Sequence, residues 1–293
     1  MRSFIRHYLL ALQFFSRVPV TGRLADWVGF SPVMLRASAA HFPGVGWLVG
    51  GSVAFLTWGL LVLLPPGPFA PLVAAALGTA WSVVMTGAFH EDGLADVADG
   101  LGGSLNRERA LEIMKDSRVG AFGAIAVMLA LLCKVALLAL LGSISTGLMV
   151  AGAFAAHVVS RTWPLLTIRL LPHVGEAAQS KSKPLAGQIS GAALAVALLW
   201  CLGALVLVIS AQAAMLLIAN SPSGVMACAA LWLVAVVCSV LAWGWMHRWF
   251  ARRLQGFTGD CLGAAQQVCE IAFYLGLALA SGPLMRVLQG ATL

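Results

Sequence analysis

Long apolar runs alternate with short polar segments along most of the 293-residue chain. Seven runs have about the 20 residues that an α-helix needs to cross the hydrocarbon core of a bilayer. The pattern therefore predicts an all-α, polytopic integral membrane protein of about seven transmembrane helices, with six and eight as the limits. The predicted spans are residues 43–64, 68–89, 119–141, 145–168, 187–210, 224–246 and 268–288.

The ends of the chain and one long run leave the number of spans open. Residues 187–219 are mostly apolar over more than one crossing, so they would hold one long helix plus a re-entrant or interfacial piece. The first forty residues mix arginines with aromatics and lack the cleavage site of a secretory signal, which predicts an interfacial helix. With no internal repeat and no extended soluble segment, residues 1–293 are predicted to form a single membrane-embedded domain.

Composition supports the membrane class, and the distribution of charge adds an orientation. Hydrophobic residues make up 60% of the chain and charged residues 10%, well outside the composition of soluble domains. Polar segments rich in Lys and Arg alternate with uncharged loops, so the basic segments are expected to face the cytoplasm from the cell inner membrane. The net charge of +7 then reflects this loop bias, and without basic stripes or aromatic platforms no nucleic-acid partner is expected. The basic segments are 1–42, 90–118, 169–186 and 247–267, and the uncharged loops are 65–67, 142–144 and 211–223.

Acidic residues are concentrated in the segment 90–118, which holds seven of the eleven in the chain. Six of them form two trios, each spaced to lie on one side of a helix. Like charges at this spacing weaken a helix by about 0.2–0.5 kcal/mol per pair, unless a cation lies between them. Oxygen ligands with no soft ligand nearby favour Mg²⁺, with Mn²⁺ as the alternative. The trios are Asp92, Asp96 and Asp99, and Glu108, Glu112 and Asp116.

Other arrangements of the same residues remain open. The acids of the second trio in particular could pair with neighbouring basic residues, as in an ordinary solvated helix. Near the start of the last span, the glycines around Thr258 and Asp260 suit a turn that presents backbone N–H groups, including that of Gly259, to a phosphate. The same turn could simply cap the last helix. The basic residues beside the acids are Arg107, Arg109, Lys115 and Arg118.

Ionisable residues inside predicted spans are expected to be functional or paired, because burying them is costly. Arg161 lies about eight residues, or roughly 12 Å, from the cytoplasmic end of its span, where it could bind a substrate phosphate or pair with an acid. Lys134 lies nearer the uncharged side and is predicted to extend to the far interface. The cluster His247, Arg248, Arg252 and Arg253 is predicted to face the membrane surface, with pyrophosphate binding as the alternative. The six cysteines show no metal-binding spacing and are predicted to be free and structural.

Several of these segments resemble a known family. The runs TGAFHEDGLADVADG and RERALEIMKDSRVGAFG, with FPGVG near the first span and TGDCLGAAQQ near the last, are similar to cobalamin 5′-phosphate synthases, also called adenosylcobinamide-GDP ribazoletransferases. The similarity extends over most of the chain. It implies a magnesium-dependent membrane enzyme that joins adenosylcobinamide-GDP to α-ribazole, or to its 5′-phosphate, and releases GMP. The family pattern falls here on His90, Asp92, Gly93, Asp96, Asp99 and Gly100, while Glu91 takes a position that is often apolar in the family.

The resemblance and the residue chemistry combine into one hypothesis for the site. Displacing GMP from a pyrophosphate requires a divalent metal, a carboxylate that accepts the hydroxyl proton, and cations for the leaving phosphate. Asp92 and Asp96 are predicted to be catalytic metal ligands, assisted by Asp116 or Asp260, and Asp99 is the candidate base. The predicted substrate-binding residues are Arg161, Arg118, Lys115, His90, Thr258 and Gly259.

Two other functions remain as alternatives. The D-x-x-x-D-x-x-D spacing also resembles the acidic motif of CDP-alcohol phosphotransferases, which perform the same kind of displacement. A divalent-cation transporter would use acids near the midplane of the bilayer, but none of the first six predicted spans contains Asp or Glu. The expected partners are the activated corrinoid, α-ribazole and membrane lipid. A homo-oligomer, or a complex with other cobalamin-assembly enzymes, stays open.

Overall fold

Helices form almost all of the regular secondary structure in residues 2–174, 189–218 and 222–290, the part of the chain that this computed structural model describes. The predicted all-α class is confirmed. The helices are α1 (Arg2–Phe15), α2 (Gly22–Val28), α3 (Pro32–Ser38), α4 (Phe42–Leu63), α5 (Ala70–Thr86), α6 (Phe89–Gly103), α7 (Arg107–Ile113), α8 (Ala121–Ile144), α9 (Thr146–Val159), α10 (Trp163–Leu170), α11 (Gly191–Ile218), α12 (Pro222–Arg253) and α13 (Gly259–Gly290), with a 3₁₀ turn at Ala39–His41.

The number of membrane-crossing helices is smaller than the seven predicted. Five helices among the described residues are long and apolar enough to cross a membrane, and a sixth crossing is added if α5 and α6 form one broken span. The difference comes from the predicted spans 68–89 and 145–168. In the structure α5 has 17 residues, and α9 has 14 residues, or about 21 Å, less than the roughly 30 Å of a hydrocarbon core.

The first difference arises at a sharp corner between α5 and α6. Gly87 and Ala88 both have left-handed backbone conformations, with φ of 67° and 58°, and the two helix axes meet at 89°. Left-handed residues end a helix, and the backbone N–H of Arg17 donates to the carbonyl of Met85 (2.7 Å) beside the corner. Because the two axes are nearly perpendicular, α6 would run along the surface of the bilayer if α5 crosses it. The predicted helical acidic segment is confirmed as α6 and α7.

The second difference arises where α9 stops and α10 begins. Residues 160–162 form a turn, and Pro164 lies in the first turn of α10, where a missing N–H is tolerated. Hydropathy does not show this break, because apolar residues continue on both sides of it. Arg161 lies in the turn itself, so the charged residue is found where the backbone departs from the helix.

Two other expectations concern the N-terminal region and residues 187–219. Helix α1 buries one face, including Leu10 and Phe15, and exposes Phe4 and Ile5, which suits the predicted interfacial helix. Helix α11 continues without a break to Ile218, so its described part contains no re-entrant piece. Residues 175–188 and 219–221, which belong to the predicted segments 169–186, 187–210 and 211–223, lie outside the described residues.

Glycines allow α6 to pack closely against the start of α13. A Cβ atom at Gly93 would lie 2.7 Å from the carbonyl oxygen of Asp260, and a Cβ atom at Gly263 would lie 3.3 Å from the Cα of His90. Small residues permit such close approach of helix backbones in membrane proteins. This crossing brings the acids of α6 beside the first turn of α13.

Replacing Gly93 by alanine should destabilise the protein, because the added methyl group forces α6 and α13 apart. Helix propensity alone predicts the opposite result, because alanine is favoured over glycine inside a helix by about 0.5–1 kcal/mol. A lower melting temperature of Gly93→Ala would therefore have to come from the packing between the helices. Gly51→Ala in α4 is the matched control, since nothing lies within 4 Å of its added carbon. Thermal unfolding in detergent measures both variants. A Gly93→Ala protein as stable as the wild type would contradict the close crossing.

Candidate active site

The candidate site is a group of acids at the crossing of α6 and α13. Asp92 is exposed and Asp96 is half-buried on α6, while Asp260 lies in the first turn of α13. Burial, followed by the charges of Asp260, Asp92 and Asp99, raises the pKa of Asp96 to about 7. These carboxylates therefore lie within electrostatic range of one another and repel.

A hard divalent cation suits this group of donors. No set of three or more His, Cys, Asp or Glu side chains is arranged as a ready metal site among the residues that the structure describes. The donors at the crossing are all carboxylate oxygens, the ligands that Mg²⁺ and Mn²⁺ prefer. A cation there would also offset the repulsion that disfavours the ionised form of Asp96. The donor chemistry fits the predicted ion.

The side chain of Asp99, on α6, caps the start of α8. Its Oδ2 accepts a hydrogen bond from the backbone N–H of Gly120 (2.7 Å), and its Oδ1 accepts one from that of Gly123 (2.8 Å). A carboxylate in this position satisfies N–H groups that have no partner inside the helix and interacts favourably with the helix dipole. Both oxygens of Asp99 are thus engaged in holding α8 against α6. Its role as the general base stays a prediction.

The second trio of acids forms ordinary surface ion pairs. Arg118 Nε lies 2.9 Å from Asp116 Oδ1, and Arg109 Nη1 lies 3.0 Å from Glu112 Oε2. Hydrogen bonds from Arg118 lower the pKa of Asp116 to about 2. The structure therefore agrees with the alternative in which the acids of this trio pair with neighbouring arginines, and the partner of Asp116 is Arg118. The assignment of Asp116 as a metal ligand stays a prediction.

A polar groove runs beside these pairs. It has a volume of about 530 Å³, and Asp99, Arg109 and Arg118 are among its lining residues. The side chain of Arg118 is 86% exposed, and Lys115 lies exposed after α7. Both predicted phosphate-binding residues are therefore accessible from solvent, although Arg118 also pairs with Asp116.

A network of buried polar residues lies inside the bundle, centred on Glu270 of α13. Glu270 Oε1 lies 2.7 Å from Lys134 Nζ and accepts a hydrogen bond from the Tyr274 hydroxyl (3.1 Å). Lys134 is 1% exposed and Glu270 is fully buried. The prediction that Lys134 extends to the far interface is therefore wrong, because its partner is a carboxylate on a neighbouring helix.

Arg161 is also buried, at 1% exposure. Its Nη1 donates to the carbonyl of His157 (2.8 Å), and its guanidinium lies over the ring of Phe42, 5.7 Å from the centroid. The acids whose charges act on it are Glu270 and Glu91. A phosphate could reach Arg161 only by entering the protein, so its substrate-binding role stays a prediction.

Two glutamines connect this network to the acidic helix. Gln266 Nε2 donates to Glu270 Oε2 (2.7 Å) and to Ser160 Oγ (3.0 Å). Gln267 Nε2 donates to Gln266 Oε1 (3.0 Å) and to Glu91 Oε1 (3.0 Å). The resulting chain runs from Glu270 to Glu91, the neighbour of Asp92. Sequence reasoning missed it, although Gln266, Glu270 and Tyr274 recur every four residues along one side of α13.

The remaining predicted residues surround the crossing. His90 is buried and stacks on Phe42, with ring centroids 5.8 Å apart. The Thr258 hydroxyl donates to Asp260 Oδ2 (3.1 Å), and Gly259 begins α13. Arg253 Nη2 donates to the carbonyl of Ser104 (2.6 Å) just after α6, so this member of the basic cluster contacts protein. The prediction of free cysteines is confirmed for all six.

Apolar helices of membrane-crossing length, a helix rich in carboxylates and a buried ion network define an α-helical integral membrane protein with a polar site at one end of its bundle. The family model described as cobalamin-5-phosphate synthase matches residues 7–278. The chain belongs to this family of membrane transferases, which confirms the resemblance seen in the sequence.

Curated relatives support the same assignment over nearly their whole length. A protein of Albidiferax ferrireducens is 72% identical over 279 residues, which cover 95% of this chain and 99% of the relative. A protein of Polaromonas naphthalenivorans is 61% identical over 291 residues, with coverages of 95% and 99%. One from Vibrio cholerae is 39% identical over 275 residues, covering 94% of each chain. All three are named adenosylcobinamide-GDP ribazoletransferase. No solved structure matches the chain.

Removing the ammonium group of Lys134 should strongly destabilise the protein. Lys134→Met leaves the Glu270 carboxylate buried without its cation, a change that typically costs about 3–5 kcal/mol. In the double variant Lys134→Met/Glu270→Gln both charges are gone, so much of the lost stability should return. Unfolding in detergent, followed by circular dichroism, gives the comparison. A single variant with wild-type stability would show that the pair is not needed.

Proposed function

We propose that this protein joins adenosylcobinamide-GDP to α-ribazole or α-ribazole 5′-phosphate and releases GMP. The product is adenosylcobalamin or its 5′-phosphate, a late step in assembly of the cobalamin nucleotide loop. The names of the relatives and the family support the overall activity. The structural observation that supports it is the crossing of α6 and α13, where Asp92, Asp96 and Asp260 lie together.

The proposed reaction is a displacement at phosphorus. A ribose hydroxyl of the acceptor forms a new bond to the phosphorus nearer the corrinoid, and the bond from that phosphorus to the bridging oxygen breaks as GMP leaves. The hydroxyl proton passes to a carboxylate of α6, with Asp99 as the predicted base and Asp92 and Asp96 beside it. Cationic side chains offset the charge of the pyrophosphate. Arg118 and Lys115 are accessible for this role, and Arg161 would serve a phosphate that enters the protein.

Magnesium, with manganese as the alternative, is the proposed cofactor. Asp92 and Asp96 would hold the ion, and Asp260 has more support as the assisting ligand than Asp116, which is paired with Arg118. When bound, such an ion neutralises phosphate oxygens and orients the leaving group.

The cation-transport alternative has less support. Glu270 is fully buried in the bundle, but Lys134 already compensates its charge. Asp92, Asp96 and Asp260, the acids of the candidate site, lie instead on α6 and in the first turn of α13. A phosphotransferase of the CDP-alcohol type shares the displacement chemistry, and the family assignment favours corrinoid substrates over it.

We also propose that the protein resides in the cell inner membrane with α6 and the site at the cytoplasmic surface. The distribution of Lys and Arg supports this orientation. The proposed partners are the two small-molecule substrates and membrane lipid, with no nucleic acid.

Asp96→Asn, and equally Asp92→Asn, should reduce GMP release by about 100-fold or more at saturating Mg²⁺. Metal stabilisation of the transition state is worth several kcal/mol, and each 1.36 kcal/mol is tenfold in rate. Glu112→Gln removes an exposed acid paired with Arg109 and should keep wild-type activity. The assay measures GMP released from adenosylcobinamide-GDP and α-ribazole. Full activity of Asp96→Asn would refute the metal assignment, and Mg²⁺ uptake into vesicles without GMP release would favour a transporter.

Cysteine labelling should report the proposed orientation. Leu105→Cys lies between α6 and α7, and Ser145→Cys lies between α8 and α9, at the other end of α8. A membrane-impermeant maleimide should label Ser145→Cys on intact spheroplasts and Leu105→Cys only after permeabilisation. The wild type, with its six native cysteines, gives the background. The reverse labelling pattern would show that α6 faces the periplasm and would contradict the proposed orientation.

A further inference from the structure

A narrow crevice lies beside the N-terminal end of α6. Its walls come from α1, α4, α6, α10 and the first turns of α13, and they are almost wholly apolar. Neither a Lys, an Arg, an Asp nor a Glu is among its lining residues. Four of the lining residues are phenylalanines from three different helices: Phe14, Phe15, Phe42 and Phe89.

The rings in this crevice form a connected aromatic surface. Phe15 and Phe42 lie 4.3 Å apart between centroids, and Phe14 meets Phe89 edge to face at 6.3 Å. The imidazole of His90 stacks on Phe42 with an angle of 18° between the planes. Offset-stacked and edge-to-face contacts are the arrangements that aromatic rings prefer. A flat aromatic ligand would find both kinds of contact here.

His90 supplies the polar side chain of the crevice. It is 1% exposed, and its Nε2 has no hydrogen-bond partner among the described residues. Buried polar atoms are nearly always paired, so an unpaired one requires an explanation such as a missing ligand. An imidazole nitrogen can donate one hydrogen bond to a ring nitrogen of a ligand.

The crevice adjoins the acids of the candidate site. Gly263 of α13 packs on the backbone of His90, and one turn farther along α6 Gly93 packs on Asp260. His90 and Asp96 are six residues apart on the same helix, or about 9 Å along its axis. A nucleoside whose base occupied the crevice would therefore have its ribose close to the carboxylates.

We propose that this crevice binds the heteroaromatic base of the acceptor nucleoside, with His90 donating to its free ring nitrogen. The inference rests on the proposed function, since ribazole carries a flat, largely apolar fused-ring azole. Guanine, the base of the other substrate, presents several polar groups, and a site with one polar side chain would leave most of them unpaired. The crevice therefore discriminates between the two substrates by polarity.

Binding requires the crevice to widen. Its closed volume is about 30 Å³, roughly enough for one water molecule. Phe14 and Phe89 are the lining phenylalanines that are partly exposed, so these two rings move aside as the base enters. Their displaced faces then stack on the bound base.

The first test separates the two substrates kinetically. Phe14→Ala and Phe89→Ala should raise the KM for α-ribazole about 5- to 100-fold, the range expected for loss of stacking on a base. The KM for adenosylcobinamide-GDP should stay within twofold of wild type. Phe30→Ala, which removes an exposed ring outside the crevice, is the control and should change neither constant. Unchanged KM values for α-ribazole, or equal increases for both substrates, would overturn the proposal.

The second test addresses His90. Wild-type protein should prefer α-ribazole over the indole riboside that lacks the ring nitrogen, and His90→Phe, which keeps a ring in place, should lose this preference. A preference that persists in His90→Phe would exclude the hydrogen bond. Equilibrium dialysis of labelled α-ribazole measures binding without turnover. Binding that depends on Phe14 and His90 in a protein that releases no GMP would support the crevice and refute the proposed reaction.

Discussion

The ion pair between Lys134 and Glu270 is the interaction on which the position of the acidic helix depends. An uncompensated charge inside an apolar bundle is strongly unfavourable, so α8 and α13 must keep these two groups together. Gln266 and Gln267 extend the same network by hydrogen bonds to Glu91 on α6. Helix α6 is therefore fixed to α8 and α13 through a continuous polar connection.

This connection holds α6 in an arrangement that its own charges oppose. Burial first, and then the charges of neighbouring acids, raise the pKa of Asp96 to about 7, so both the position of this side chain and the closeness of the carboxylates disfavour its ionised form. Asp99 of α6 accepts hydrogen bonds from the start of α8, and Arg253 of α12 donates one to the carbonyl of Ser104 just after α6, so both contacts resist separation. Sites that retain unfavourable charge at the expense of stability are expected where function requires it.

The surroundings of α6 differ in polarity between its two ends. An aromatic crevice without charged side chains lies at the N-terminal end, and a groove lined by Arg109 and Arg118 lies toward the C-terminal end. His90 and Gly103, which line the two sites, are separated by about 20 Å along the helix. Under the proposed function, an apolar base at one end and a pyrophosphate at the other would both extend toward the carboxylates between them.

The sequence by itself determined the all-α membrane class, the helical acidic segment and the family, because apolar length, residue spacing and motifs are local properties of the chain. It also selected Asp92, Asp96 and Asp260, although their role as metal ligands stays a prediction. Only the tertiary structure decided the partner of Lys134, the capping contacts of Asp99 and the breaks that shorten two predicted spans. Glu270 and Gly120 are distant in sequence from the residues they contact, and the turn at residues 160–162 lies between apolar segments that hydropathy cannot separate. These features depend on packing between helices, which no local sequence pattern encodes.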